Sequence, residues 1–196
     1  MSTRGFLGFK VNDNDTRKGN IFGVYNHYDS YYSYMGIKML NAYKTTTKRD
    51  FKLVFDSYEW VEDCNDCYEG DALKLIKGYC SDDRVPNDVD FLNDGLFCEY
   101  AYIYNIEADT LEIYRGFFNK PQSKEFEKLG YQPFNERYHT HKVYTVTRDS
   151  DFDKVEYMLY NISSIIDDDN MYKTIDGKYP EELFMENIEN YMLVQE

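Results

Sequence analysis

The chain has 196 residues, 42% of them hydrophobic, with 36 acidic against 22 basic side chains and a formal charge of −14. That length favours one core, and that hydrophobic share excludes a disordered chain. The acidic excess opposes binding to nucleic acid or to an anionic membrane, since both draw their affinity from Lys and Arg; a protein with a basic surface, or a metal ion, fits it better.

Met1-Ser2-Thr3-Arg4-Gly5 lacks the apolar core of a secretion signal, and no stretch approaches the roughly 20 apolar residues that span a bilayer, so a cytoplasmic location is expected. In that compartment Cys64, Cys67, Cys80 and Cys98 are expected as reduced thiols. The first element is a strand over Gly5–Val11, followed by a polar turn from Asn12 to Asn20 and a second strand, Ile21–Tyr25, returning antiparallel. Met35, Met39, Leu40 and Tyr43 then share a face at helical period, which predicts a helix over Tyr34–Lys44. A Thr-rich break precedes Phe51, Val54, Phe55 and Tyr58, a second amphipathic helix, and Ala72, Leu73, Ile76 and Tyr79 mark a third over Glu69–Tyr79.

From Leu96 the period becomes two: Phe97 to Tyr104 reads as a long strand with Tyr100, Tyr102 and Tyr104 on one side, and Leu111–Gly116 as its hairpin partner. Pro121 and Pro133 bracket a polar connection, His141–Thr147 reads as a strand, Asp151–Ile166 as a helix, and a last helix follows Pro180. The order predicts one α+β domain over residues 1–196, an antiparallel sheet built from hairpins with helices packed on it. There is no βαβ alternation and no cofactor fingerprint, so no cofactor is expected.

Cys64-Asn65-Asp66-Cys67 has the spacing of a zinc or redox pair, but only the isolated Cys80 and Cys98 remain to complete four ligands; plain reduced thiols are the simpler reading. His139 and His141 fall on one side of a strand, and His27 alternates with Asp29, yet no H-E-x-x-H helix accompanies either pair. Asp149-Ser150-Asp151-Phe152-Asp153 begins like a calcium loop, but Lys154 stands where Gly is needed and Tyr160 where Glu is. Asp151 is better read as a helix N-cap, and Asp167-Asp168-Asp169 as a solvated turn whose carboxylates can meet Lys or Arg of a partner. Thr3 near the start of a strand invites comparison with N-terminal nucleophiles, although Met removal would expose Ser2 instead.

Thr3-Arg4-Gly5, then Tyr25-Asn26-His27-Tyr28-Asp29-Ser30-Tyr31, and later Phe97-Cys98-Glu99-Tyr100-Ala101-Tyr102 resemble blocks shared by a family of uncharacterised proteins encoded by bacteriophages and bacteria. In that family the blocks read T-R-G, Y-N-H-W-D-S-Y-P and F-C-E-W-A-Y; this chain departs from them with Tyr28 and Tyr100 in place of Trp and Tyr32 in place of Pro. The resemblance ends near Gly116 and implies a phage or mobile-element origin without a reaction. Together with the charge and the 21 Tyr, it leads to the expectation of a phage-type accessory protein acting by binding in the host cytoplasm, for example as an anti-CRISPR or anti-restriction inhibitor with a basic protein partner. The expected binding residues are Asp149, Asp151, Asp153, Asp167, Asp168, Asp169, Asn26, His27 and Asp29. The alternatives are an amide hydrolase or small-molecule processing activity centred on the first hairpin and the loop from Asn26 to Asp29, and a structural assembly protein.

Overall fold

The structure is a computed structural model, and it describes residues 3–11, 20–62, 71–80, 82–94, 97–119, 138–162, 185–186, 188–190 and 192. Strands β1 (Gly5–Lys10) and β2 (Ile21–Asn26) form the first hairpin, and β5 (Tyr100–Asn105) and β6 (Thr110–Asn119) the second. With β7 (Tyr138–Val146) they make a five-stranded sheet of order β2-β1-β5-β6-β7. A two-stranded parallel ribbon, β3 (Glu59–Val61) with β4 (Arg84–Pro86), forms a second small sheet that packs on the first hairpin through Trp60, its ring 5.8 Å from that of Phe22. The helices are α1 (Ile37–Thr45), entered through a π-helical turn at Tyr32–Gly36, α2 (Lys48–Asp56), α3 (Ala72–Ile76), α4 (Val89–Asn93) and α5 (Phe152–Asn161).

The fold is α+β as expected, and one feature of the sheet corrects the expectation of hairpins paired only antiparallel. β1 and β5 run parallel, Gly5 opposite Tyr100 and Lys10 opposite Asn105. Both are first arms of hairpins, and the chain returns between them to the end of the sheet where β1 began, Tyr100 lying opposite Gly5. This makes β5 an interior strand covered on both faces, which is why Tyr100–Tyr104 is buried without interruption. Tyr100, Tyr102 and Tyr104 face the larger core with Leu7, Phe9, Phe22, Val24 and side chains of α1, α2, α3 and α5, while Ala101 and Ile103 face a smaller cluster with Phe6, Leu92 and Cys98 under α4.

The core is built on tyrosine because each buried ring can also satisfy a backbone carbonyl. Tyr102 donates to Ser30 O at 2.8 Å, Tyr43 to Asp109 O at 2.7 Å and Tyr58 to Leu75 O at 3.1 Å. Phe51 stacks on Tyr104 with centroids 4.0 Å apart, fixing α2 over the sheet. The third helix ends at Ile76, short of the expected Tyr79, because Gly78 takes φ +73° and the N–H of Tyr79 returns to Lys74 O, leaving the Tyr79 ring exposed. The strand expected from Phe97 begins only at Tyr100, since Phe97 and Cys98 N–H groups close a turn on Asp94 O.

The sheet edge at β2 is blunted by the segment before α4. Asp88 N donates to Gly23 O at 2.8 Å, and Asn87 Oδ1 and Asp88 Oδ2 accept from the N–H groups of Gly23 and Tyr25. These contacts imitate a partner strand and occupy groups that would otherwise invite edge pairing.

Candidate functional site

The predicted site residues sort to two opposite ends of the sheet. Asn26 pairs with Gly5, beside Tyr100, whereas Val146, which leads into Asp149, pairs with Leu111, beside Tyr104. Four or five residues of strand separate these ends, about 15 Å at some 3.3 Å per residue. Asn26, His27 and Asp29 therefore do not join Asp149, Asp151 and Asp153. Asp167, Asp168, Asp169, Cys64 and Cys67 lie outside the described residues, as do the side chains of His139 and His141.

At the first end, the Asn26–Ser30 loop is braced from beneath. Asn26 Nδ2 donates to Tyr28 O at 2.6 Å and to Ser30 Oγ at 2.7 Å, and Ser30 N donates to Thr3 Oγ1 at 3.1 Å. Ser30 is fully buried, and a Cβ at Gly5 would stand 2.6 Å from it, so only glycine fits after Thr3-Arg4. Asp29 adopts φ +52°, a left-handed turn that Asp tolerates better than most residues. The result is a fixed loop whose tip exposes His27, Tyr28 and Asp29, with the Tyr25 hydroxyl 2.8 Å from His27 Nδ1. Thr3 here braces Ser30 through its hydroxyl.

At the second end, Arg148 ties three elements together. Its guanidinium meets both carboxylate oxygens of Asp109 in the β5–β6 turn at 2.8 to 3.1 Å, donates to Tyr43 O at 2.6 Å and Thr46 O at 2.9 Å where α1 ends, and lies 4.0 Å over the Tyr43 ring. Tyr104 donates to Asp109 at 2.5 Å. Hydrogen bonds from Arg148 hold the Asp109 carboxyl below the usual carboxylate range, and burial pushes the Tyr43 phenol up to about 12. Nothing in the local sequence pattern announces this clamp, because its two charges stand 39 residues apart.

Arg148 anchors the approach to α5. Asp151 is the N-cap expected of it, accepting from Asp153 N at 3.1 Å and Lys154 N at 3.2 Å. Val155, Met158 and Leu159 turn inward, and Asp153, Tyr157 and Tyr160, spaced i, i+4 and i+7, form an outward stripe. Both rings are about half exposed, at 47% and 53%, in contrast to the strand tyrosines. Asp149 is exposed next to this stripe.

A third polar group went unnoticed in the sequence. Glu112, buried on the α4 side of the sheet, accepts from the Tyr114 hydroxyl at 2.6 Å and Asn105 Nδ2 at 3.3 Å, with Lys142 Nζ 3.8 Å away. Burial alone would raise its carboxyl, but these hydrogen bonds outweigh it and hold the group low. Its signal was present in the alternation of β6, where Glu112 stands between Leu111 and Ile113.

Among the described residues no group of three or more His, Cys, Asp or Glu could hold a metal ion. One shallow cavity of about 360 Å3 lies between β7 and the helical residues around Ile188, and another of about 400 Å3 on α2 over Lys48, Arg49, Lys52 and Leu53. The polar constellations thus act as internal ties, and the side chains they leave outward are the His27–Asp29 tip and the α5 stripe. Comparison with protein-family models, with curated proteins and with solved structures finds no match.

Proposed function

We propose that this protein is a small phage-type accessory protein that works by binding, offering an acidic, tyrosine-rich surface to a basic site on another protein. The observation that carries the reading is the outward face of α5, where Asp153, Tyr157 and Tyr160 line up beside the exposed Asp149. Carboxylates in such a place draw a basic surface in and set the association rate. Exposed tyrosine rings then supply large, stiff contact area, the residue type enriched at the centre of interfaces.

The concrete version is an inhibitor that occupies the nucleic-acid-binding surface of a host defence protein in the cytoplasm, as anti-restriction and anti-CRISPR proteins do. Direct nucleic-acid binding runs against the charge of −14. No helix of the described residues is long and apolar enough to cross a membrane. The test is kinetic, with purified protein and its partner. Asp149→Lys with Asp153→Lys should slow association about tenfold and flatten its salt dependence, while Tyr157→Ala with Tyr160→Ala should speed dissociation by about tenfold or more. Rates unmoved by both pairs count against the reading.

A further inference from the structure

Helices α1, α2, α3 and α5 all pack on the tyrosine face of the sheet, so their outward sides form one external layer. Charge on that layer is divided. The α5 side carries Asp149, Asp151, Asp153 and Glu156 against Lys154, with Arg148 beside them paired to Asp109, whereas the α1–α2 side carries Lys38, Lys44, Lys48, Arg49 and Lys52 against Asp50 and Asp56. Local ties involve both signs: Asp50 accepts from the Thr47 hydroxyl at 2.7 Å, Asp56 pairs with Lys52 at 2.8 Å, Lys48 donates to Glu107 O at 2.7 Å and Asp151 caps α5, and the basic excess on one side and the acidic excess on the other remain.

The two sides adjoin. Lys44 Nζ stands 5.5 Å from the centre of the Phe152 ring that begins α5, and Arg148 reaches Thr46 O just before α2. Each side also exposes large apolar groups: Leu53 at 58% on α2, Tyr157 and Tyr160 on α5. A basic helix with an exposed leucine, beside an acidic helix with exposed tyrosines, matches its own image when turned over about an axis along α1, which lies against α5 and leads directly into α2. That is the requirement for a two-fold interface, in which each patch meets its complement on the other copy.

We propose that this helical layer is a docking surface for a second copy of the chain, with the basic α2 of each protomer against the acidic α5 of the other. The occupant is assigned by charge complementarity: the layer contains both halves of the match, so a copy supplies every group required. The charge of −14 on each copy opposes approach, but at physiological salt it is screened beyond about 8 Å, leaving the facing pairs and the apolar anchors to decide. The inference uses the same α5 stripe as the proposed partner contact and needs no foreign partner, so the copy and the partner compete for it.

The experiment is sedimentation equilibrium of the purified full chain at about 0.15 M ionic strength. Wild type should sediment as a dimer of the 23.4 kDa chain. Lys48→Glu with Arg49→Glu and Lys52→Glu should weaken the dimer about tenfold or more, and so should Asp149→Lys with Asp153→Lys and Glu156→Lys, because each places like charges against each other. Mixing the two variants in equal amounts should restore association, since both contacts of the mixed dimer are again complementary. Leu53→Asp, which leaves the charge pairs in place, should weaken the dimer independently of either set. A monomeric wild type, or a mixture that associates no better than its components, overturns the proposal. Because only the purified chain is present, that outcome leaves the α5 stripe available to a foreign partner.

Discussion

Replacing Arg148 by Met tests how the second end of the sheet is held. Methionine keeps an apolar stem against Tyr43 while removing the guanidinium, so what is lost is the charge and its donors. Those donors serve the Asp109 carboxylate and the carbonyls of Tyr43 and Thr46. A hydrogen bond to a charged group contributes about 1.5 to 3 kcal/mol, and a partly buried carbonyl left unpaired costs about 1 kcal/mol or more. The pair is partly open to water, with side chains 32% and 28% exposed, so the ionic part is discounted and the expected loss is about 2 to 3 kcal/mol. For a domain of this size that is roughly 5 to 10 °C in Tm, read by urea and thermal unfolding at neutral pH.

The same clamp gives a pH signature. The Asp109 carboxyl is depressed in the folded state, so the stability it contributes is complete above its unfolded value near pH 4 and is lost as pH falls through the lower folded value. The difference between wild type and Asp109→Asn should therefore be constant above about pH 5 and shrink below pH 4. A double-mutant cycle of Arg148→Met with Asp109→Asn should show coupling of about 1 kcal/mol. A loss under 0.5 kcal/mol for Arg148→Met, or additive single changes, would refute the reasoning.

Three further outcomes follow from the packing. A Cβ at Gly23 would stand 2.4 Å from Leu7 O and 2.5 Å from the Phe6 ring, so Gly23→Ala should cost about 1 to 3 kcal/mol in chemical denaturation; a neutral effect would mean that β1 and β2 sit less closely. Tyr102→Phe removes the hydroxyl that donates to the buried Ser30 carbonyl and should cost about 1 to 3 kcal/mol, with the Asn26–Ser30 loop amides exchanging hydrogen faster. Burial pushes the Cys98 thiol up to about 12, so site-resolved alkylation of the native protein at pH 8 should label the half-buried Cys80 and leave Cys98 unlabelled; equal labelling of these two would contradict the buried placement.

The hairpins were legible because their signals are local. Gly19-Asn20 marks the first turn, and Glu107 to Thr110 interrupts two apolar runs at the second. Helix α5 was legible through Val155, Met158 and Leu159 and through its Asp151 cap, although it begins at Phe152 and its expected continuation to Ile166 lies mostly outside the described residues. The parallel pairing of β1 with β5 left no such trace, because strands about 95 residues apart carry no shared periodicity and the choice is made by which faces need covering. Strands β3 and β4 are three residues each, too short for any pattern to register.

The tyrosines show the same division. Their number pointed to a core with a surplus for an interface; Tyr32, Tyr43, Tyr58, Tyr100, Tyr102 and Tyr104 are buried, and Tyr28, Tyr34, Tyr79, Tyr157 and Tyr160 are exposed. Alternation in β5 could predict that three rings share a face, but only the helices packed on that face decided that it was buried. For the site, Asp149, Asp151, Asp153, Asn26, His27 and Asp29 were chosen as one set by residue type, and topology separated them to opposite sheet ends. Arg148 was missed because its contacts exist only after the sheet has formed, whereas Glu112 was readable from the alternation of β6 as a polar residue between Leu111 and Ile113.

The measurement that bears most directly on the binding account is a comparative capture from the cells in which the protein is made, followed by reconstitution of the complex from purified components. Wild type is set against a variant carrying Asp149→Lys, Asp153→Lys, Tyr157→Ala and Tyr160→Ala, chosen to leave the Asp151 cap and the Arg148 clamp intact. The account predicts a protein with a basic surface that is retained by wild type, lost by the variant, and bound again in the purified pair with strong salt dependence. Equal retention by both chains, or a partner held equally at low and high salt, would contradict it.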